Sequence, residues 1–112
     1  MVDVFEFTPK GISINKERFK EWLESFDSGA IVGHVKAHRS CPLYTFLTDN
    51  GCPIKCVAFN YVRENDEYGS TYLLERWAED FVYLIDHHQD ESRMYEPITK
   101  ERALQVLSEI PA

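Results

Sequence analysis

Apolar residues recur along this chain with two different periods, and each change of period marks an element. From about residue 13 the spacing is helical: Phe19, Trp22, Leu23 and Phe26 fall at i, i+3, i+4 and i+7, while Lys16, Glu17, Lys20, Glu21 and Glu24 fill the rest of the circumference. Ser13 or Asn15 can cap this helix, and Gly29 after Asp27-Ser28 supplies a left-handed stop. Ahead of it, residues 1–11 form an arm. Val2, Val4, Phe5 and Phe7 there nearly alternate with polar residues, giving a short edge strand that ends at Pro9 and Gly11.

The period then drops to two. Ala30 to Ala37 reads as a strand with Ile31, Gly33, Val35 and Ala37 on one side and Val32, His34 and Lys36 on the other. Leu43 to Thr48 reads as a second strand and Pro53 to Val62 as a third. Asp49-Asn50-Gly51 joins these two as a hairpin turn, because Asn-Gly tolerates the positive φ values a tight turn demands. After a polar loop from Arg63 to Gly69, helical spacing returns. Ser70 or Thr71 caps a long helix running to about His88, with Leu74, Trp77, Ala78, Phe81, Leu84, Ile85 and His88 on its apolar face. A second polar loop, Gln89 to Glu96, leads to a last helix capped by Thr99. There Ile98 packs near Ala103, and Ala103, Leu104, Leu107 and Ile110 form the buried side.

The expected architecture is α+β, in the order α-β-β-β-α-α: a three-stranded antiparallel meander with helices on one face. The opposite face is left free for contact. The same order describes double-stranded-RNA-binding domains, which place lysines at the start of the helix after the meander. Here that helix opens Ser70-Thr71-Tyr72-Leu73-Leu74-Glu75 and continues into Glu79-Asp80, a sign that repels phosphate.

Composition sharpens this picture. With 112 residues, 44% hydrophobic and 15 aromatic rings, the chain can bury one core, so residues 1–112 are read as a single domain. Net charge is −7, which disfavours nucleic acid as a partner, yet Lys36, Arg39, Lys55 and Arg63 face only Asp49 between Ala30 and Arg63, a +3 segment. No run is long enough to cross a membrane, and the first residues lack a signal-peptide pattern. Three cysteines, an odd number, then point to reduced thiols and a cytoplasmic setting.

Candidate chemistry gathers in the basic segment. His34, His38 and Cys41 with Cys52 and Cys56 are zinc-type donors, but His34 and His38 would stand about 13 Å apart on an ideal strand, at ~3.3 Å per residue. Cys41, following His38 and Arg39, is the best placed of the thiols for activation by a cation. Cys41-Pro42 and Cys52-Pro53 resemble the Cys-Pro pairs of haem-regulated proteins, a match of two residues each. Asp86-His87-His88 with Asp90 resembles the metal-binding signature of the DHH phosphoesterases, whose further aspartate motifs are missing here. No catalytic signature is found, and no cofactor is expected, with zinc as the alternative. The reading that follows is an interaction or regulatory module acting through its sheet face on a protein partner or a second copy. His34, Lys36, His38, Arg39, Cys41 and Lys55 form the expected binding surface. A metal-binding or thiol-dependent protein centred on Cys41 and His38 is the alternative.

Overall fold

In a computed structural model, which describes residues 4–37, 39–87 and 96–111, the chain opens with a hairpin. Strand β1 (Phe5–Thr8) pairs antiparallel with β2 (Gly11–Ile14), Phe5 opposite Ile14 and Thr8 opposite Gly11, so that Pro9-Lys10 form a two-residue turn. The arm is thus a strand, and its partner comes from residues expected only to lead into the helix. Gly11 takes φ 153°, and a Cβ there would lie 2.2 Å from the Leu73 carbonyl oxygen. Only glycine lets the hairpin lie this close to the next sheet.

Helix α1 (Lys16–Glu24) starts where expected: Asn15 is the cap, its side chain accepting the Arg18 N–H. Its apolar stripe puts Phe19 at the centre of the molecule. The Phe19 ring lies 5.1 Å from Phe46, 6.0 Å from Trp77 and 5.0 Å from Phe81. Strand β3 (Ile31–His34) follows, but its partner is β7 (Pro97–Thr99), with a register shift between Ile31 and Gly33.

The largest departure from expectation is Leu43–Thr48, which is helix and not strand: α2 spans Pro42–Asp49. Leu43, Phe46 and Leu47 fall at i, i+3 and i+4, the spacing of one helix face, whereas alternation would put Phe46 on the side opposite the two leucines. The ends decide it. Cys41 is the N-cap and Pro42 occupies the first turn, where its missing N–H costs nothing. At the other end Asn50 is the C-cap and Gly51 takes φ 81°. The Gly51 N–H donates to the Thr48 carbonyl at 3.1 Å and the Cys52 N–H to that of Leu47 at 2.9 Å, the paired bonds of a Schellman stop. Asn50-Gly51 therefore ends a helix and turns no hairpin.

A three-stranded antiparallel meander is present, built from other segments than expected. Its strands are β4 (Ile54–Val57), β5 (Tyr61–Glu64) and β6 (Thr71–Leu73), in that spatial order. The expected third strand breaks at Phe59-Asn60, and where a helix was expected to start, strand β6 begins at Thr71. Helix α3 (Arg76–His87) begins later and buries Ala78, Phe81, Val82 and Ile85. Its start grips the hairpin: Glu75 Oε1 accepts the Ile14 N–H at 2.6 Å, and Trp77 Nε1 donates to the Ile14 carbonyl at 3.3 Å. Helix α4 (Lys100–Ser108) is capped by Thr99 as expected, and buries Ala103, Val106 and Leu107 over a fully buried Ile98.

The class is α+β with mixed helices and antiparallel sheets, but the order is β-β-α-β-α-β-β-β-α-β-α, not α-β-β-β-α-α. The element order shared with RNA-binding domains goes with it. Among the described residues no helix is long and apolar enough to cross a membrane.

Candidate functional site

The register of the meander separates its two faces. Val57, Val62 and Tyr72 lie in one cross-strand row, and the first two are buried. Cys56, Arg63 and Thr71 form the adjacent row, which must point the other way. Tyr61 and Leu73, also paired, share that outer side. Arg63 and Thr71 are exposed, and Leu73 is 58% exposed. The turns at the two ends of the sheet carry Phe59, 69% exposed, and Tyr68, 87% exposed.

Cations sit beside them. A Cβ placed on Gly69 would find the Arg63 Cδ at 3.4 Å and the Lys55 Nζ at 3.5 Å, so both side chains converge on the β5–β6 turn. Neither makes an ion pair among the described residues. The turn itself is tied by Asp66, whose carboxylate accepts the Gly69 N–H at 2.5 Å, the Ser70 N–H at 3.2 Å and the Ser70 hydroxyl at 3.2 Å. Desolvation pushes the Asp66 carboxyl up, but the amides of Ser70 and Gly69 and the Ser70 hydroxyl together hold it below the usual range.

The residues singled out from the sequence do not share one surface. Lys55 is on β4 of the meander, half-buried. His34 ends β3, and Lys36, Arg39 and Cys41 belong to the connection from β3 to α2, because the expected second strand is a helix. His34 is half-buried and donates its N–H to the Ser40 carbonyl at 2.8 Å. Lys36 turns through φ 55°, and its N–H donates to Asp86 Oδ1 at 2.8 Å. Arg39 is exposed, and His38 lies outside the described residues.

Cys41 is buried as the cap of α2, its Sγ accepting the Tyr44 N–H at 3.4 Å. A helix does begin there, contrary to expectation, and helix amides favour a thiolate. Burial outweighs them: it pushes the thiol to about 12, with the nearby Asp86 carboxylate adding to the rise. The thiol is therefore protonated at neutral pH, which removes the basis for an activated Cys41. Cys52 is also buried and is pushed to about 12 by burial and by Glu64. The two Cys-Pro pairs have structural roles, one opening α2 and the other leading from the Schellman stop into β4. Among the described residues no three His, Cys, Asp or Glu side chains are placed to hold a metal ion. Of the Asp86-His87-His88 run, Asp86 serves the Lys36 amide, and His88 and Asp90 lie outside the described residues.

A groove of about 270 Å³ lies between the β4–β5 turn and α3, lined by Phe59, Glu79, Asp80, Val82, Tyr83, Asp86 and His87. Tyr83 is 62% exposed, its ring 4.7 Å from that of His87. Sequence reading passed over Tyr83, Tyr68 and Leu73. Tyr83 did leave a trace, as an aromatic residue off the apolar stripe of its helix.

No protein-family model, curated protein or solved structure matches the chain. What the molecule does has to be argued from its own surface.

Proposed function

We propose that this protein is a non-enzymatic interaction module that contacts a protein partner, or a second copy of itself, through the outer face of its meander. One observation carries the reading: of the five large apolar side chains that stand exposed among the described residues, Phe59, Tyr68 and Leu73 belong to the meander or its turns. Lys55 and Arg63 lie among them without ion-pair partners among the described residues, ready to order an incoming segment by charge. Aromatic residues and arginine are also the types that dominate protein interfaces. The reading keeps Lys55 from the surface inferred by sequence and leaves His34, Lys36, His38, Arg39 and Cys41 outside the contact. Three cysteines without a disulfide among them suit work in the reducing cytoplasm.

The test compares the wild-type chain with Tyr61→Ser/Leu73→Ser and with Lys55→Glu/Arg63→Glu, by quantitative pull-down and by sedimentation. Both double variants should lose the partner, or the dimer, while their circular dichroism stays unchanged. Full retention of binding by both would remove the outer face from consideration.

A further inference from the structure

On the solvent side of α3, Glu79, Asp80, Tyr83, Asp86 and His87 lie within reach of one another, since residues three and four apart share a helix surface. Phe59, from the turn between β4 and β5, closes the other wall of the groove they line. Its chemistry is specific in two independent respects. Phe59 and Tyr83 present large aromatic surfaces to water, 69% and 62% exposed. Three carboxylates line the same groove, and among the described residues no lysine or arginine lines it. Asp80 meets Arg76 Nε at 3.3 Å, but the arginine is largely exposed and such a pair holds little. Asp86 uses one carboxylate oxygen to accept the Lys36 N–H.

Carboxylates and aromatic faces attract the same kind of ligand, a cation with an apolar stem. We infer that the groove between Phe59 and α3 docks an arginine- or lysine-bearing segment of a partner protein. The guanidinium of arginine fits best, because it can stack on a ring and bond a carboxylate at once. The whole chain favours such a partner, since a net charge of −7 steers basic segments toward it and repels nucleic acid and anionic lipid surfaces. Phe59, which lines the groove, sits in the β4–β5 turn of the meander itself. The inference thus rests on the interaction-module reading and adds the chemistry of the partner.

Bulk attraction to an acidic protein is the competing explanation, so the decisive variants leave charge alone. The probe is an end-blocked octapeptide of alternating arginine and alanine, titrated against the labelled protein by NMR. Its glutamate counterpart and spermine serve as comparison ligands. The arginine peptide should shift the amides of residues 59 and 79–83, and the glutamate peptide should not. Phe59→Ser/Tyr83→Ser, which keeps the net charge, should weaken binding at least about tenfold, in the range expected for buried aromatic anchors. Glu79→Gln/Asp80→Asn should do the same. Glu17→Gln/Glu24→Gln, which removes equal charge from α1, should change it by less than about twofold, as isolated surface charges do. Unchanged affinity in Phe59→Ser/Tyr83→Ser would overturn the inference, as would spermine binding as tightly as the peptide. If the groove variants leave binding intact while Tyr61→Ser/Leu73→Ser still abolishes partner capture, the groove assignment falls and the outer-face reading stands.

Discussion

Asp86 Oδ1 accepts the backbone N–H of Lys36 at 2.8 Å, joining the last turn of α3 to the loop between β3 and α2. Among the described residues, Lys36 is the one non-glycine residue with positive φ, at 55°. The chain holds it there because the carboxylate satisfies an amide that water would otherwise have to reach. Asp86→Ala leaves that amide without its acceptor and should cost about 1–3 kcal/mol, the usual penalty for an orphaned, partly buried donor. Urea denaturation checks it. A loss within error of zero would mean that solvent replaces the carboxylate.

Lys36→Gly probes the same loop from the other side. Relief of the left-handed strain is worth about 1–2 kcal/mol, and the extra freedom of an unfolded glycine takes back about 0.4–1 kcal/mol. The variant should therefore be slightly more stable than wild type. Clear destabilisation would show that the lysine side chain contributes something the backbone geometry does not.

Glycine replacements should sort by what surrounds them. A Cβ on Gly33 would meet the Pro42 nitrogen at 2.6 Å and the Ser40 carbonyl oxygen at 2.7 Å, and backbone atoms cannot step aside cheaply. Gly51 has nothing within 4 Å, and only its φ of 81° resists a side chain. Gly51→Ala should lose about 1 kcal/mol, and Gly33→Ala at least about 3 kcal/mol, as a forced overlap in a packed region does. Equal thermal shifts for the two would contradict the close passage of residues 40–42 over β3.

The thiols should react in a fixed order. Cys56 is half-buried on the outer face of the meander, whereas Cys41 and Cys52 are buried and pushed to about 12. A chromogenic disulfide at pH 8 should modify Cys56 first and the other two only as the protein opens. Cys56→Ser should abolish the early phase. An early phase that survives in that variant and vanishes in Cys41→Ser would reinstate Cys41 as an active thiol.

Acid should loosen the β5–β6 turn late. Asp66 is held below its ordinary value, so its contribution is complete above the unfolded carboxylate range, near about pH 4, and is lost as pH falls through the lower folded value. The Gly69 and Ser70 amide resonances should titrate together, with a midpoint below that of an unstructured aspartate. A midpoint above it would rule out the turn as drawn by Asp66.

Wherever caps and stripes agreed, the sequence was legible. The Asn15 and Thr99 caps, the Phe19 stripe and, on α3, Ala78, Phe81 and Ile85 stand where the spacing put them, whereas Leu74 precedes that helix, Val82 joins its buried side and His88 lies outside the described residues. Misreadings came from short apolar runs, because six residues are too few to fix a period and Asn-Gly is both a hairpin turn and a helix stop. Cys41-Pro42 was the available discriminator, an N-cap followed by proline in the first helical turn. Pairing of β3 with β7, residues far apart in sequence, had no local signal. The surface inferred from sequence dispersed for the same reason: once α2 is a helix, His34, Lys36, Arg39 and Cys41 no longer share a sheet with Lys55.

The hairpin at the start of the chain lies along β6, with Gly11 pressed on the Leu73 carbonyl and Ile12 bridged to Leu74. That placement makes the first two strands a seal over a margin that would otherwise recruit strangers. Cutting after residue 14 would bare that margin together with the apolar residues beneath it. The shortened chain should then leave solution as aggregate, while the intact one stays clear.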